Sequence, residues 1–259
     1  MKERLDILLV ERRLVESRTK AQWLIRNGFV VVNKSEITKP GKKIDNTSDI
    51  QLKKEFPYVG RGGLKLEAAL REFSISVEGK ICADIGASIG GFTDCLLKHG
   101  ALKVYAIDNA TDLLHPSLKC KPERVIALLG VDARELDKLE EDIDICTIDV
   151  TFTSLKSILP NVKEFLKING DIIALIKPLF ETEFYEEKKF KIIQNPDEIN
   201  NILLDLMEWS IKSEIFPYSL IKSPLLGKGG SVEFLIHYKV HKKNPDFDYK
   251  NQIMTLITK

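Results

Sequence analysis

The chain reads as an α/β protein, with a mostly parallel, Rossmann-like sheet carrying one antiparallel strand and a small α+β module in front of it. Three observations predict this. From residue 81 onward, short apolar runs alternate with stretches patterned at helical spacing, as in strands joined by crossover helices. Between the first run and its helix lies a glycine-rich turn, Ala83-Asp-Ile-Gly-Ala-Ser-Ile-Gly-Gly-Phe-Thr93, of the kind that opens a crevice at the carboxyl edge of an α/β sheet. The first 54 residues are different in kind: two short helical patterns, then several short strands, with 13 Lys and Arg against 7 Asp and Glu, while the remainder holds 26 against 31.

The elements follow in order. Leu5, Leu8 and Leu9 mark one face of a helix over residues 5–13, and Ser17 is placed to cap a second helix from Arg18 to Asn27 that Gly28 ends. Phe29 to Val32 is extended, and the turn residues Asn33-Lys34 and Pro40-Gly41 separate short strands up to Leu52. Lys53 to Tyr58 has the composition of a linker. Strands are expected at 81–85, 103–107, 124–129, 143–148 and 171–176, with a closing pair near 213–222 and 231–238 joined as a hairpin through Gly227 to Gly230. Helices are expected at 92–99, 155–166 and 197–212. The charged stretch Glu181 to Gln194 shows no strong period and reads as a long surface loop or a lid. The organisation predicted is a basic head at 1–54, a linker at 55–60, an α/β domain at 61–240 and a tail at 241–259.

At 259 residues the chain has ample length for a sizeable core. A basic head on a mildly acidic body is the asymmetry expected when one module docks a polyanion; a solvated basic helix face is the plainer alternative. Cys82, Cys95, Cys120 and Cys146 form no Cys-x-x-Cys pair and read as small hydrophobes in a reducing compartment, and no metal is expected. Glu3, Arg4 and Asp6 interrupt any signal peptide, and no apolar run approaches the roughly 18 residues of a membrane span, so a cytoplasmic protein is expected.

The glycine turn predicts an adenosine-type cofactor. Its Asp-x-Gly-x-x-x-Gly-Gly spacing differs from the Gly-x-Gly-x-x-Gly of pyrophosphate binders and suits S-adenosylmethionine (SAM), which brings an ammonium and a sulfonium but no phosphate. Asp84, Gly86, Ser88, Gly90, Gly91 and Phe92 are the candidate contacts. Gly86 permits a backbone conformation that a side chain would obstruct, and Gly90 and Gly91 are expected to let the ligand approach the next helix. Asp108, ending the second strand, can accept both ribose hydroxyl bonds; Asp132, after the third, can meet the adenine amino group, unless either caps a loop.

The head resembles the alpha-L RNA-binding fold of the S-four type. That resemblance implies phosphate contacts at Arg18, Lys20, Arg26 and Lys34, which position RNA without reading its sequence, and Arg61 extends the basic set. The larger part resembles the TlyA family, often labelled haemolysins. The likeness rests on Arg61-Gly-Gly-Leu-Lys-Leu66, the glycine turn, Asp149-Val-Thr-Phe152 and Ile176-Lys-Pro-Leu-Phe-Glu181, and runs from the first helix to about Tyr238. Thr151 and Leu179 stand where the family usually has Ser and often has Gln.

The resemblance implies a SAM-dependent methyltransferase sheet and methylation of a ribose 2′-hydroxyl of ribosomal RNA, on cytidine by family precedent. It also implies an FtsJ-like Lys-Asp-Lys-Glu tetrad at Lys65, Asp149, Lys177 and Glu233. On this reading Lys177 accepts the hydroxyl proton, Asp149 and Glu233 orient it, and Lys65 stabilises the developing oxyanion. The short amino terminus favours the large ribosomal subunit as substrate, whereas residues 241–259 leave the small subunit open. Two other classes stand beside this reading: a haemolysin-type membrane-active protein and a non-catalytic RNA-binding assembly factor. Neither calls for the tetrad, and Asp149-Val-Thr-Phe152 lacks the paired prolines frequent in amino-group methyltransferases.

Overall fold

The computed structural model describes residues 2–136, 138–182 and 192–258. The chain divides into two compact units, Met1–Arg61 and Gly62–Lys259. Residues 183–191, most of the stretch expected as a loop or lid, lie outside the described residues.

In the first unit, β1 (Lys2–Arg4) precedes two helices, α1 (Leu5–Glu11) and α2 (Arg18–Arg26). Ser17 caps α2 by accepting the Lys20 amide, and Gly28 at φ +73° ends it in the left-handed conformation that favours glycine. Strand β2 (Val30–Val32) lies between β3 (Ser35–Glu36) and β5 (Ile50–Leu52), antiparallel to both. Asn33 and Lys34, at φ +48° and +66°, form the tight turn from β2 to β3, whose twist matches that of the flanking strands. β1 pairs with β4 (Lys43–Asp45). This strand has no apolar alternation to announce it and exists through its pairing. Leu5, Leu9, Leu24, Ile25 and Val30 are fully buried at the centre of the unit.

The second unit opens with α3 (Gly62–Glu72) and continues β6 (Ile81–Ile85), α4 (Gly91–Lys98), β7 (Lys103–Asp108), α5 (Pro116–Lys119), β8 (Val125–Leu129), β9 (Ile143–Ile148), α6 (Leu159–Phe165) and β10 (Leu166–Ile176). It closes with α7 (Pro196–Lys212), β11 (Ile215–Lys222), β12 (Phe234–Val240) and α8 (Tyr249–Ile257). The seven strands are ordered β11-β12-β10-β9-β6-β7-β8, and β12 runs antiparallel to both neighbours. The order turns back on itself between β6 and β9, the switch point outside which α/β sheets hold ligands. Cys82, Ala83, Ile107, Cys146 and Ala174 are fully buried, as central parallel strands covered on both faces require.

Three elements depart from the sequence expectations. The helix expected at 155–166 splits into a 3-10 turn, Leu155–Ser157, and α6, because Pro160 offers no amide hydrogen and fits only a first helical turn. Helix α3 occupies Gly62–Glu72, where the sequence pattern predicts no element. Residues 241–259, read as a tail, contain α8, whose Ile253 is fully buried in the sheet core.

Candidate active site

The glycine turn divides into parts that face the crevice and parts that hold the loop. Gly86, at φ +77°, has no room for a side chain: a Cβ would lie 2.4 Å from the Asp149 carbonyl oxygen. Asp84 is fully buried behind the turn, where it accepts the hydroxyls of Thr93 at 2.6 Å and Thr147 at 3.0 Å. Gly90 is left-handed at φ +96°, and a Cβ there would meet Leu118 at 2.2 Å. A Cβ on Gly91 would press on the Gly62 and Gly63 backbone at 3.2–3.3 Å, and Phe92 is buried beside Gly62. For these four residues, expected as ligand contacts, the structure shows packing that a sequence motif does not display: Gly90, Gly91 and Phe92 seat α4 against α5 and α3, and Asp84 ties α4 to β9.

Gly86, Ser88, Asp108 and Asp132 do line a cavity of about 410 Å³, within the range of ligand pockets. Asp108 is nearly buried; one oxygen accepts the Ser88 amide at 2.7 Å and the other the Ala110 amide at 2.8 Å. These bonds fix the carboxylate with further lone pairs left for a diol. Asp132 accepts the Arg134 backbone amide at 2.9 Å and pairs with its guanidinium, so it caps a turn and lines the cavity at once. The cavity continues past Asn109 and Leu113 to Asp149 and the segment Val150–Thr153, residues other than Asp149 that sequence reasoning missed. Phe152 there is exposed and sits at φ +65°, a strained setting for a bulky residue that pattern reading does not detect.

Asp149 follows the last residue of β9 and Lys177 the last residue of β10. Glu233 precedes β12; because that strand is antiparallel, its beginning lies where its neighbours end. The register pairs Ile176 with Phe234, which sets Lys177 opposite Glu233. Lys65 enters from the first turn of α3. The four side chains form two ion pairs, Lys177 to Asp149 at 2.6 Å and Lys65 to Glu233 at 2.5 Å. Lys177 also donates to the Val150 carbonyl at 2.8 Å. Among the described residues Glu233 bonds Lys65, so the expectation that it orients Lys177 is replaced by this pairing. The Lys65–Glu233 pair is buried at 5% exposure of each side chain, and a Cβ on Gly227 would fall 2.1 Å from the Glu233 carboxylate.

In the first unit, Arg18, Arg26, Lys34 and Arg61 are exposed. Arg18 shares the buried Asp6 carboxylate with Arg4 and Gln22. Burial opposes ionisation of Asp6, but these three donors outweigh it and hold the carboxyl well below the usual range. Lys20 is the exception. Its ammonium lies 2.6 Å from Glu16 and over the Phe56 ring, at 11% exposure, so the expected phosphate contact is corrected to a local anchor.

Comparison with known proteins agrees with this architecture. The FtsJ-like methyltransferase family matches residues 58–240, and the S4 domain family matches residues 3–50. A relative in Bacillus subtilis, YqxC, named as a candidate rRNA methyltransferase, is 41% identical over 240 residues, 91% of this chain and 85% of its own. The 16S/23S rRNA (cytidine-2′-O)-methyltransferase TlyA of Mycobacterium tuberculosis is 32% identical over 237 residues, 90% of this chain and 88% of its own. A solved structure from Streptococcus thermophilus, described as a candidate hemolysin, superposes with a TM-score of 0.73 at 34% identity, covering 99% of this chain and 94% of that one. With both parts matched in order and the likeness running along nine-tenths of the sequence, the chain belongs to the TlyA family of FtsJ-like, SAM-dependent methyltransferases that carry an S4 domain.

Proposed function

We propose that this protein methylates a ribose 2′-hydroxyl of cytidine in ribosomal RNA, with SAM as donor, and that it works in the cytoplasm, where ribosomal subunits are. The observation that carries the reading is the Lys177–Asp149 pair, whose carboxylate lines the same cavity as Asp108, with Glu233 and its partner Lys65 brought opposite Lys177 by the β10–β12 register. The cavity fits SAM: Asp108 offers a fixed carboxylate to a ribose, and the first turn of α4, packed against Gly62 and Gly63, leaves no cradle for a pyrophosphate. Gly86, Ser88, Asp108 and Asp132 would hold it. When bound, SAM supplies a methyl group already activated by its sulfonium.

The protein's part is to align the acceptor oxygen and remove its proton. In its neutral form Lys177 Nζ takes the hydroxyl proton, and Asp149, 2.6 Å away, stabilises the ammonium that forms. Lys65, held by Glu233, supplies positive charge to the developing oxyanion from a site with little water, where such charge acts strongly. Arg18, Arg26, Lys34 and Arg61 hold the RNA by its phosphates.

The test is transfer of labelled methyl from SAM to separated ribosomal subunits of an unmodified strain. Label is expected on RNA, and the labelled subunit identifies the substrate. Lys177→Ala is expected to lose at least about 100-fold in rate while SAM binding persists. Label on neither subunit, with SAM binding confirmed, overturns the reading, and full turnover by Lys177→Ala overturns the base.

A further inference from the structure

Glu181 is a buried carboxylate that the proposed reaction does not use. It stands one turn beyond Lys177, at the end of the 3-10 turn Pro178–Glu181, and reaches back across the site to the segment that follows Asp149. One oxygen accepts the Leu155 amide at 3.0 Å and the other accepts the Ser154 hydroxyl. Burial raises its carboxyl above the ordinary value against these two hydrogen bonds, so the group is held there at some cost.

Residues 177–181 and 149–155 are thereby joined at three successive points. Lys177 holds Asp149 and the Val150 carbonyl; the Phe180 and Phe152 rings meet at 5.4 Å between centroids; Glu181 holds Ser154 and Leu155. Thr151, Phe152 and Thr153 are bracketed between the first and last of these, and all three line the cavity. Phe152 keeps its left-handed backbone, at φ +65°, inside the bracket, a conformation that persists only when its surroundings fix it.

We propose that Glu181 is a positioning residue that closes this clasp, fixing the Thr151–Thr153 wall of the cavity and, through it, the alignment of Lys177 with Asp149. The inference rests on the methyltransferase reading and deepens it. Without Glu181 the wall keeps only the Lys177 tie at its Asp149 end and the Phe152–Phe180 ring contact, its Thr153 end is released, and the acceptor hydroxyl meets Lys177 in a wider range of geometries.

The experiment measures kcat and KM for labelled methyl transfer to ribosomal subunits, SAM affinity by calorimetry and Tm, for wild type, Glu181→Ala, Glu181→Gln, Ser154→Ala and Ser154→Ala with Glu181→Ala. Glu181→Ala is expected to keep wild-type SAM affinity and to lose about 100-fold in kcat, the scale of a misplacement of about 1 Å. Glu181→Gln, which still accepts the Leu155 amide, recovers to within about 10-fold of wild type, and Ser154→Ala falls between. The double variant is no slower than Glu181→Ala, because both changes open the same clasp. A wild-type kcat in folded Glu181→Ala overturns the proposal. If Glu181→Ala does not fold, Ser154→Ala carries the test, and a wild-type kcat there overturns it equally. A wild-type enzyme that labels no RNA fails the methyltransferase reading instead, a result distinct from active wild type beside an unaffected variant.

Discussion

Asp84 shows how a motif residue can serve the site without facing it. It is the penultimate residue of β6, is fully buried, and is held by two threonine hydroxyls, one from α4 and one from β9. Burial pushes its carboxyl from an ordinary 3.8 up to about 6, against the hydrogen bonds from Thr93 and Thr147 and with the charge of Asp149 adding to the rise. The folded protein thus holds this proton more tightly than the unfolded chain. Its stabilising contribution is complete below about pH 4 and is lost as the pH climbs through about 6, a swing of roughly 3 kcal/mol. Asp84→Asn removes the titrating group. Urea unfolding of both proteins should show the variant gaining on wild type by roughly that amount between pH 4 and pH 7.5, and a difference constant with pH would contradict the burial account.

At the scale of elements, one strand direction and one helix decide much. The reversal of β12 brings Glu233 to the carboxyl edge where Asp149 and Lys177 stand; a parallel strand in its place would carry Glu233 to the opposite edge. Strand β11, at the end of the sheet, would present unpaired carbonyls to solvent, a template for association. The segment after Val240 covers it. Asn244 donates to the Tyr218 carbonyl at 3.5 Å and Gln252 to the Leu220 carbonyl at 2.9 Å, while Ile253 of α8 fills the core beneath. Truncation after Val240 should therefore yield protein that aggregates with increasing concentration, seen by light scattering. A monodisperse truncated chain would show that α8 is not what protects the edge.

On the scale of the whole molecule, charge is divided between the units. No described helix is long and apolar enough to cross a membrane. The exposed Arg26 and Lys34 should each contribute to phosphate binding, so replacing either with Ala should lower the slope of log affinity against log salt by about 0.7–1. Lys20→Ala should leave that slope unchanged and lower Tm, because the ammonium is spent on Glu16 and Phe56. Filter binding of ribosomal RNA fragments from 50 to about 200 mM salt separates the two behaviours. Equal slopes for all three variants would contradict the assignment.

The sequence by itself determined the fold class and five of the sheet strands to within about two residues, because alternation, apolar runs and glycine turns are local signals, whereas the four tetrad positions were implied only by the resemblance of its motifs to a family. It also determined that Gly86, Ser88, Asp108 and Asp132 belong beside one crevice, since each lies on the turn after a parallel strand or at its end. Only the tertiary structure decided which lysine pairs with which carboxylate, since Lys65 and Glu233 are separated by 168 positions and are joined by the direction of β12. Only it separated Gly90, Gly91 and Phe92, which pack helices, from the residues that line the cavity, and Lys20, which is anchored, from Arg26, which is free to solvent. The physical reason is the same in each case: a spacing fixes which side chains share an edge or a face, while burial and partners depend on the neighbours that folding brings from elsewhere in the chain.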